Sequence, residues 1–271
     1  MNVLISVDEL RELPEVVLLD VRWMLGGPPG RDEYRTGHIP GAVFVDLETE
    51  LAAHGEPTDG RHPLPSLSAL QASARRWGVR QDVPVVAYDG NGNLAAARAW
   101  WLLRWAGVRD VRLLDGALAA WVTAGGDLDV DDVVPEPGDI VLTGGELPTL
   151  DLNEVQQFSG VLLDARAGER YRGETEPIDP KAGHIPGASS APTTENLTPD
   201  GRFRSADELR ERFAALGVAD DTPTGVYCGS GVTAAHEIAA LAVAGYDAAL
   251  YAGSWSQWSN HDHLPVATGT G

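Results

Sequence analysis

A chain of 271 residues and 28.8 kDa exceeds the size at which one hydrophobic core usually stops growing, so two domains of about 135 residues each are expected. Apolar residues make up 43% and charged residues 22%, a composition that excludes disordered and fibrous classes. The net charge of −20, with Lys181 the one lysine, repels phosphate backbones and anionic lipid, so neither nucleic acid nor a membrane is expected as a partner.

The first residues, Met1 to Leu10, carry neither a basic n-region nor a hydrophobic h-region, and no apolar run approaches the length of a membrane span. The chain is therefore expected in the cytoplasm. Short β-branched runs then alternate with longer helical patterns, the signature of βα units around a buried parallel sheet. Val16 to Asp20, Val43 to Val45, Pro84 to Tyr88 and Val111 to Leu114 read as strands, with helices near Ser66 to Trp77 and Leu94 to Ala106. Residues 127–146, rich in Asp, Pro and Gly, read as a linker. Beyond it, Val161 to Asp164, Thr224 to Tyr227 and Ala248 to Tyr251 read as strands. A helix over 232–244 puts Ala234, Ala235, Ile238, Leu241 and Ala242 on one apolar face, with Gly245 as its stop.

The chain repeats itself. Gly37-His38-Ile39-Pro40-Gly41-Ala42 returns as Gly183-His184-Ile185-Pro186-Gly187-Ala188, and each copy follows an apolar run ending in Asp-x-Arg, at Asp20 and Arg22 and at Asp164 and Arg166. Downstream, the run ending at Asp89-Gly90-Asn91-Gly92 matches that ending at Cys228-Gly229-Ser230-Gly231. Asp115-Gly116 with Trp121 matches Ala252-Gly253 with Trp258. Four landmarks in one order imply two copies of a domain, at 1–126 and 147–271. The Asp-x-Arg pairs, shared by both copies, are expected to tie strand ends to the loops that follow.

Cys228 is the single cysteine, so multi-cysteine metal sites and internal disulfides are excluded. It falls where a strand ends and a helix begins, inside Cys228-Gly229-Ser230-Gly231-Val232-Thr233. Glycines there let successive N–H groups converge on one point, and the next helix adds its positive end. Such a cradle suits an anionic sulfur. A buried inert thiol is the ordinary fate of a lone cysteine, but a core position gains nothing from a polar, glycine-rich loop.

The repeated Gly-His-Ile-Pro-Gly-Ala phrases, the Asp-x-Arg strands and the Cys228 loop resemble the tandem-domain rhodanese sulfurtransferases. The resemblance implies an α/β fold of two rhodanese-like domains, each a mainly parallel sheet flanked by helices, the first lacking the cysteine and the second catalytic. Cys-Gly-Ser-Gly-Val-Thr is similar to the 3-mercaptopyruvate type, whereas thiosulfate types carry cations in the loop. Arg170 matches the family arginine that holds a substrate carboxylate. A second arginine of some mercaptopyruvate enzymes falls in Thr175 to Asp179, where this chain has none. Gly229, Gly231, Val232 and Thr233 are the expected substrate-cradling residues. Ser230 is expected either to relay a proton or to cap the helix, and His38 is held as its partner, with a turn histidine like His184 as the alternative. Trp255 and Trp258 are expected to pack, and His236 to lie too far along its helix to act.

The implied reaction is attack of Cys228 on a small sulfur donor, a persulfide on Cys228, and its delivery to cyanide or to a thiol acceptor such as thioredoxin or a low-molecular-weight thiol. No metal or organic cofactor is implied. A thiosulfate:cyanide sulfurtransferase (rhodanese) and a persulfide carrier or sensor without turnover are the alternatives. A phosphatase of similar fold would carry an arginine six positions after its cysteine, where this chain has Ala234.

Overall fold

The computed structural model describes residues 2–270. The first copy forms a five-stranded sheet from β1 (Leu4–Ile5), β2 (Val17–Asp20), β3 (Val43–Phe44), β4 (Val85–Tyr88) and β5 (Val111–Leu114), in the order β1-β5-β4-β2-β3. The second repeats it with β6 (Thr149–Leu150), β7 (Val161–Asp164), β8 (Ser189–Ser190), β9 (Thr224–Tyr227) and β10 (Ala249–Tyr251), in the order β6-β10-β9-β7-β8. Every pairing is parallel. Helices cover the sheets, which is why the central strands β4 and β9 are buried along their whole length and show no polar alternation.

The Asp-x-Arg twins do the same work in each copy. Arg22 Nε lies 2.8 Å from Asp20 and its Nη2 donates to the Gly37 carbonyl at 2.8 Å; Arg166 Nη2 lies 2.6 Å from Asp164 and donates to the Gly183 carbonyl at 2.7 Å. Each arginine thus ties the end of a strand to the start of a Gly-His-Ile-Pro-Gly-Ala turn. The twin tyrosines Tyr88 and Tyr227 accept from the N–H groups of Ile39 and Ile185.

Two features differ from the sequence reading. The helix Thr233–Val243 is buried from Ala234 to Leu241 without a solvent face. His236 and Glu237 are tolerated there because Thr193, Asn196 and Arg212 bond them. Nor do the compact units follow the chain in two simple blocks. The first comprises residues 1–53, 65–147 and 198–203; the second comprises 54–64, 148–197 and 204–271. Residues 127–146 pack with the first unit, where His38 and Asp129 form an antiparallel bridge and Ile140 and Leu142 are buried.

Candidate active site

Cys228 follows the last residue of β9, at the carboxyl end of a central parallel strand, where open α/β sheets place their sites. It is 2% exposed. The loop is pinned to the amino-terminal turn of the helix Ser254–Ser259. Cys228 N–H donates to Ser254 Oγ at 3.2 Å, while the Cys228 and Gly229 carbonyls accept from Trp255 and Ser256 N–H at 3.0 and 2.9 Å. Gly231 has φ +79°, and a Cβ there would stand 2.6 Å from the Ala252 carbonyl oxygen. That backbone turn aims the Gly231 N–H at Cys228 Sγ, 3.1 Å away. The helix Thr233–Val243 begins beside the loop, and its N-cap, Val232, contributes no side-chain bond. Thr233 opens that helix half-buried.

The first copy shows what such a loop holds. At the place of Cys228 stands Asp89, whose Oδ1 accepts from Asn91 and Asn93 N–H at 2.7 and 2.8 Å and whose Oδ2 accepts from Ala95 and Ala96 N–H at 2.8 and 3.1 Å. Burial pushes this carboxyl upward, and the four amides pull against it. Leu118 N–H bonds the Asp89 carbonyl as Trp255 N–H bonds that of Cys228, and Ala117 and Ser254 share a positive φ, 54° and 55°. The anchoring of the loop is therefore shared, while inside it the copies part: Asn93 has φ +70° where Val232 has φ −78°, and different amides face the carboxylate and the sulfur.

Ser230 does not cap the helix. Its Oγ lies 2.7 Å from Nδ1 of His62, and both residues are buried. His62 belongs to residues 54–64, the stretch of the first copy that is part of the second compact unit. This stretch is anchored on the helix Ser254–Ser259 and its end: Arg61 N–H donates to Ser256 Oγ at 3.1 Å, and the Thr58 carbonyl accepts from Gln257 at 3.1 Å. Gly60, at φ +89°, allows the close approach, since a Cβ there would meet the Gly253 carbonyl oxygen at 2.7 Å.

Of the two expectations for His38, the contacts found are those of the turn histidine. Its ring stacks on Tyr34 at 3.7 Å between centroids, and Nδ1 donates to the Tyr34 carbonyl at 2.9 Å, inside the first unit. His184 repeats both contacts with Tyr171. Its place is architectural, and the histidine at Ser230 is His62. A signal for His62 was present: Asp59-Gly60-Arg61-His62 matches Asp200-Gly201-Arg202-Phe203, between landmarks already matched. His236 is bonded to Thr193, and Trp255 is wholly buried with its indole N–H on the Lys181 carbonyl.

Arg170 lies at the loop. It and Arg61 are held by two carboxylates from the Thr175–Asp179 stretch: Arg170 Nη2 is 2.6 Å from Glu176 and 3.4 Å from Asp179, and Arg61 Nη1 pairs with Asp179. Burial pushes the Asp179 carboxyl up, opposed by Arg61 and then Arg170. The loop itself carries no cation, but its surroundings supply two. A Cβ on Gly229 would stand 3.2 Å from Arg61 Nη2 and 3.4 Å from Arg170 Nη1. Thus Cys228, Gly229, Ser230, Gly231 and Arg170 lie together, joined by two residues the sequence reading did not single out, Arg61 and His62.

Comparison with known proteins agrees with this architecture. The model of the rhodanese-like domain matches residues 6–124 and again 150–261. SseB of Mycobacterium tuberculosis, provisionally named a thiosulfate sulfurtransferase, is 47% identical over 278 residues, covering 99% of this chain and 98% of that protein. A Pseudomonas aeruginosa protein, provisionally named a 3-mercaptopyruvate sulfurtransferase, is 48% identical over 266 residues, covering 94% and 93%. The crystal structure of SseA from Escherichia coli, described as a 3-mercaptopyruvate sulfotransferase with the rhodanese fold, superposes with a TM-score of 0.83 at 34% identity, covering 94% of this chain and 99% of that one. With two matched domains and relatives of nearly full coverage, the chain belongs to the rhodanese family as a tandem-domain sulfurtransferase.

Proposed function

We propose that this sulfurtransferase takes sulfur from 3-mercaptopyruvate and passes it to a thiol or to cyanide through a persulfide on Cys228. The observation that carries the reading is the Ser230–His62 hydrogen bond of 2.7 Å on the cysteine loop. Cleaving a carbon–sulfur bond leaves a carbanion that needs a proton, whereas thiosulfate releases sulfite, a stable anion that needs none. In the first step the Cys228 thiolate attacks the donor sulfur and the carbon–sulfur bond breaks, its electron pair becoming the pyruvate enolate. Ser230 gives its hydroxyl proton to the enolate carbon and takes one from His62 Nδ1. Gly231 N–H, already on Sγ at 3.1 Å, stabilises charge at the sulfur. In the second step an acceptor thiolate attacks the outer sulfur and releases the Cys228 thiolate.

A second reading, thiosulfate as donor, is favoured by Arg61 and Arg170 beside Gly229, since fixed cations suit a dianion. A small thiol or a thioredoxin-like protein is the acceptor class in our reading. A reducing cytoplasm, which keeps a lone cysteine free, is its setting. Among the described residues no helix is long and apolar enough to cross a membrane. The test is steady-state pyruvate release with a thiol acceptor: many equivalents per protein, more efficient for 3-mercaptopyruvate than sulfite release from thiosulfate, and abolished in Cys228→Ser. Release stopping at one equivalent identifies a carrier instead, and a higher kcat/KM for thiosulfate sinks the choice of donor.

A further inference from the structure

We infer that Gln257 is a positioning residue for His62: its side-chain amide, oriented by Tyr251, holds the Thr58 carbonyl and so fixes residues 54–64 where His62 meets Ser230. This deepens the proton-relay reading above and rests on it for its kinetic consequence. His62 reaches Ser230 from a stretch whose one regular element is the 3₁₀ turn Pro57–Asp59, so its imidazole is only as well placed as the contacts that hold that backbone. Two of those contacts come from the helix Ser254–Ser259: Ser256 Oγ accepts from Arg61 N–H at 3.1 Å, and Gln257 Nε2 donates to the Thr58 carbonyl at 3.1 Å. His261 Nε2 lies 3.3 Å from the same carbonyl. Of the two ends of the Gln257 amide, only the nitrogen can donate to a carbonyl. Tyr251 fixes which end that is, since its hydroxyl donates to Gln257 Oε1 at 2.9 Å and leaves the nitrogen for Thr58. Burial raises the Tyr251 phenol well above its ordinary pKa, so it stays a donor throughout the neutral range. The Gln257 side chain folds back over Gly253, where any Cβ would collide with Oε1.

The first unit holds its matching stretch by other means. Gln257, Tyr251 and Thr58 stand against Ala120, Leu114 and Pro199, so neither the amide nor its orienting hydroxyl has a counterpart. There residues 198–203 are fixed on Asp115, whose Oδ1 accepts from Phe203 N–H at 3.0 Å and whose carbonyl accepts from Arg202 at 3.3 Å. Ala252, at the place of Asp115, has no carboxylate to offer. In the second unit the hold passes to Ser256 and Gln257, a helical turn further on. The stretch held in this way is the one that carries a histidine where its twin has a phenylalanine.

Gln257→Met removes the donor at similar size, and Gln257→Glu puts in its place a carboxylate that can accept from Tyr251 but has no proton for Thr58. The first measurement needs no sulfur transfer. Diethyl pyrocarbonate acylates unprotonated imidazole, and peptide mass spectrometry gives the rate at each histidine of the full chain. His62 and His184 are both buried in the wild-type protein. In Gln257→Met the rate at His62 should rise about tenfold while that at His184 stays within about twofold. No rise at His62 overturns the assignment, and so does an equal rise at both, which reports a protein loosened as a whole. Where His62→Ala slows turnover of 3-mercaptopyruvate, Gln257→Met should lower kcat about ten- to hundredfold with KM within about threefold; a raised KM with unchanged kcat overturns it. The pH profile separates hydrogen bonding from bulk. Once protonated, the carboxyl of Gln257→Glu donates to Thr58 as the amide does, and a carboxylate set against a carbonyl takes up its proton above the ordinary value of about 4.3. Its rate relative to wild type should therefore climb as pH falls from about 8 toward about 5.5, while that of Gln257→Met stays level; parallel profiles overturn the assignment. If His62→Ala turns over 3-mercaptopyruvate at the wild-type rate, it is the relay reading that fails, and the acylation rates at His62 and His184 still decide the role of Gln257.

Discussion

Ser230→Ala and His62→Ala, alone and together, distinguish a proton relay from two independent contacts. Nδ1 and Oγ are 2.7 Å apart and both side chains are buried, so each residue's effect should pass through the other. General acid–base catalysis contributes about 10²–10⁴-fold. At the lower end, each single variant loses about 100-fold in kcat for 3-mercaptopyruvate, or about 2.7 kcal/mol of barrier. Independent residues would multiply to about 10⁴-fold in the double variant, whereas a relay broken at either link should leave the double near about 100-fold. Thiosulfate is the internal control. Sulfite departs without a proton, so its turnover should stay within about threefold in all three variants. His38→Ala, altering a histidine stacked on Tyr34 in the first unit, should spare both reactions in the folded protein. The assay is steady-state release of pyruvate or sulfite with a thiol acceptor, with thermal melting to confirm folding. A multiplicative double variant, or equal losses with the two donors, would refute the relay.

Three further outcomes follow from the same geometry. Gly231→Ala places a Cβ 2.6 Å from the Ala252 carbonyl oxygen at φ +79°; moving the N–H off Sγ should lower the rate of persulfide formation about 10²–10³-fold, read by single-turnover mass spectrometry. Asp89→Ala strands four N–H groups, three of them buried, and should cost about 2–4 kcal/mol in denaturant unfolding, with kcat of the folded enzyme unchanged. Glu237, pushed up to about 6 by burial despite Arg212, binds its proton more tightly in the native than in the unfolded state. Its charge therefore costs stability above pH 6, and that cost disappears as pH falls from 6 to 4.5. Glu237→Gln should exceed the wild type in stability at pH 7 by about 2 kcal/mol more than at pH 4.5, and a difference independent of pH would contradict the assignment.

The sheets were legible because their inner strands are buried on both faces, which forces unbroken apolar runs such as Val85 to Tyr88 and Thr224 to Tyr227. The two-residue strands Leu4–Ile5, Thr149–Leu150 and Ser189–Ser190 were not legible. They are too short to show a period, and pairing with Leu113 to Leu114, Leu250 to Tyr251 and Leu163 to Asp164 defines them. The helix Thr233–Val243 read as amphipathic because His236 and Glu237 are polar; only contacts with residues about 25 to 43 positions away bury them. At the site, the cysteine loop was readable since its glycines, strand and helix are contiguous. Arg61 and His62 were marked only by the return of Asp59-Gly60-Arg61 as Asp200-Gly201-Arg202, and nothing local says that residues 54–64 pack with the second unit.

A rule for this chain follows from where the two copies agree and where they part. His38 and His184, Arg22 and Arg166, and Tyr88 and Tyr227 are twins in sequence and in contacts, and all of them hold turns or strand ends. The residues of the proposed chemistry fall at the mismatches: Cys228 against Asp89, Ser230 against Asn91, His62 against Phe203. Duplication preserves what the backbone needs in both halves, namely the positive-φ residues Ala117 and Ser254 and the carbonyl anchors from Leu118 and Trp255. It leaves the side chain inside the cradle free to differ. In the first copy that side chain accepts from four amides itself. In the second, the loop is held by the same anchors but turns differently at Val232, and its Gly231 N–H meets a single sulfur atom, so the scaffold that spends four amides on a carboxylate in one half leaves an N–H beside the proposed persulfide in the other.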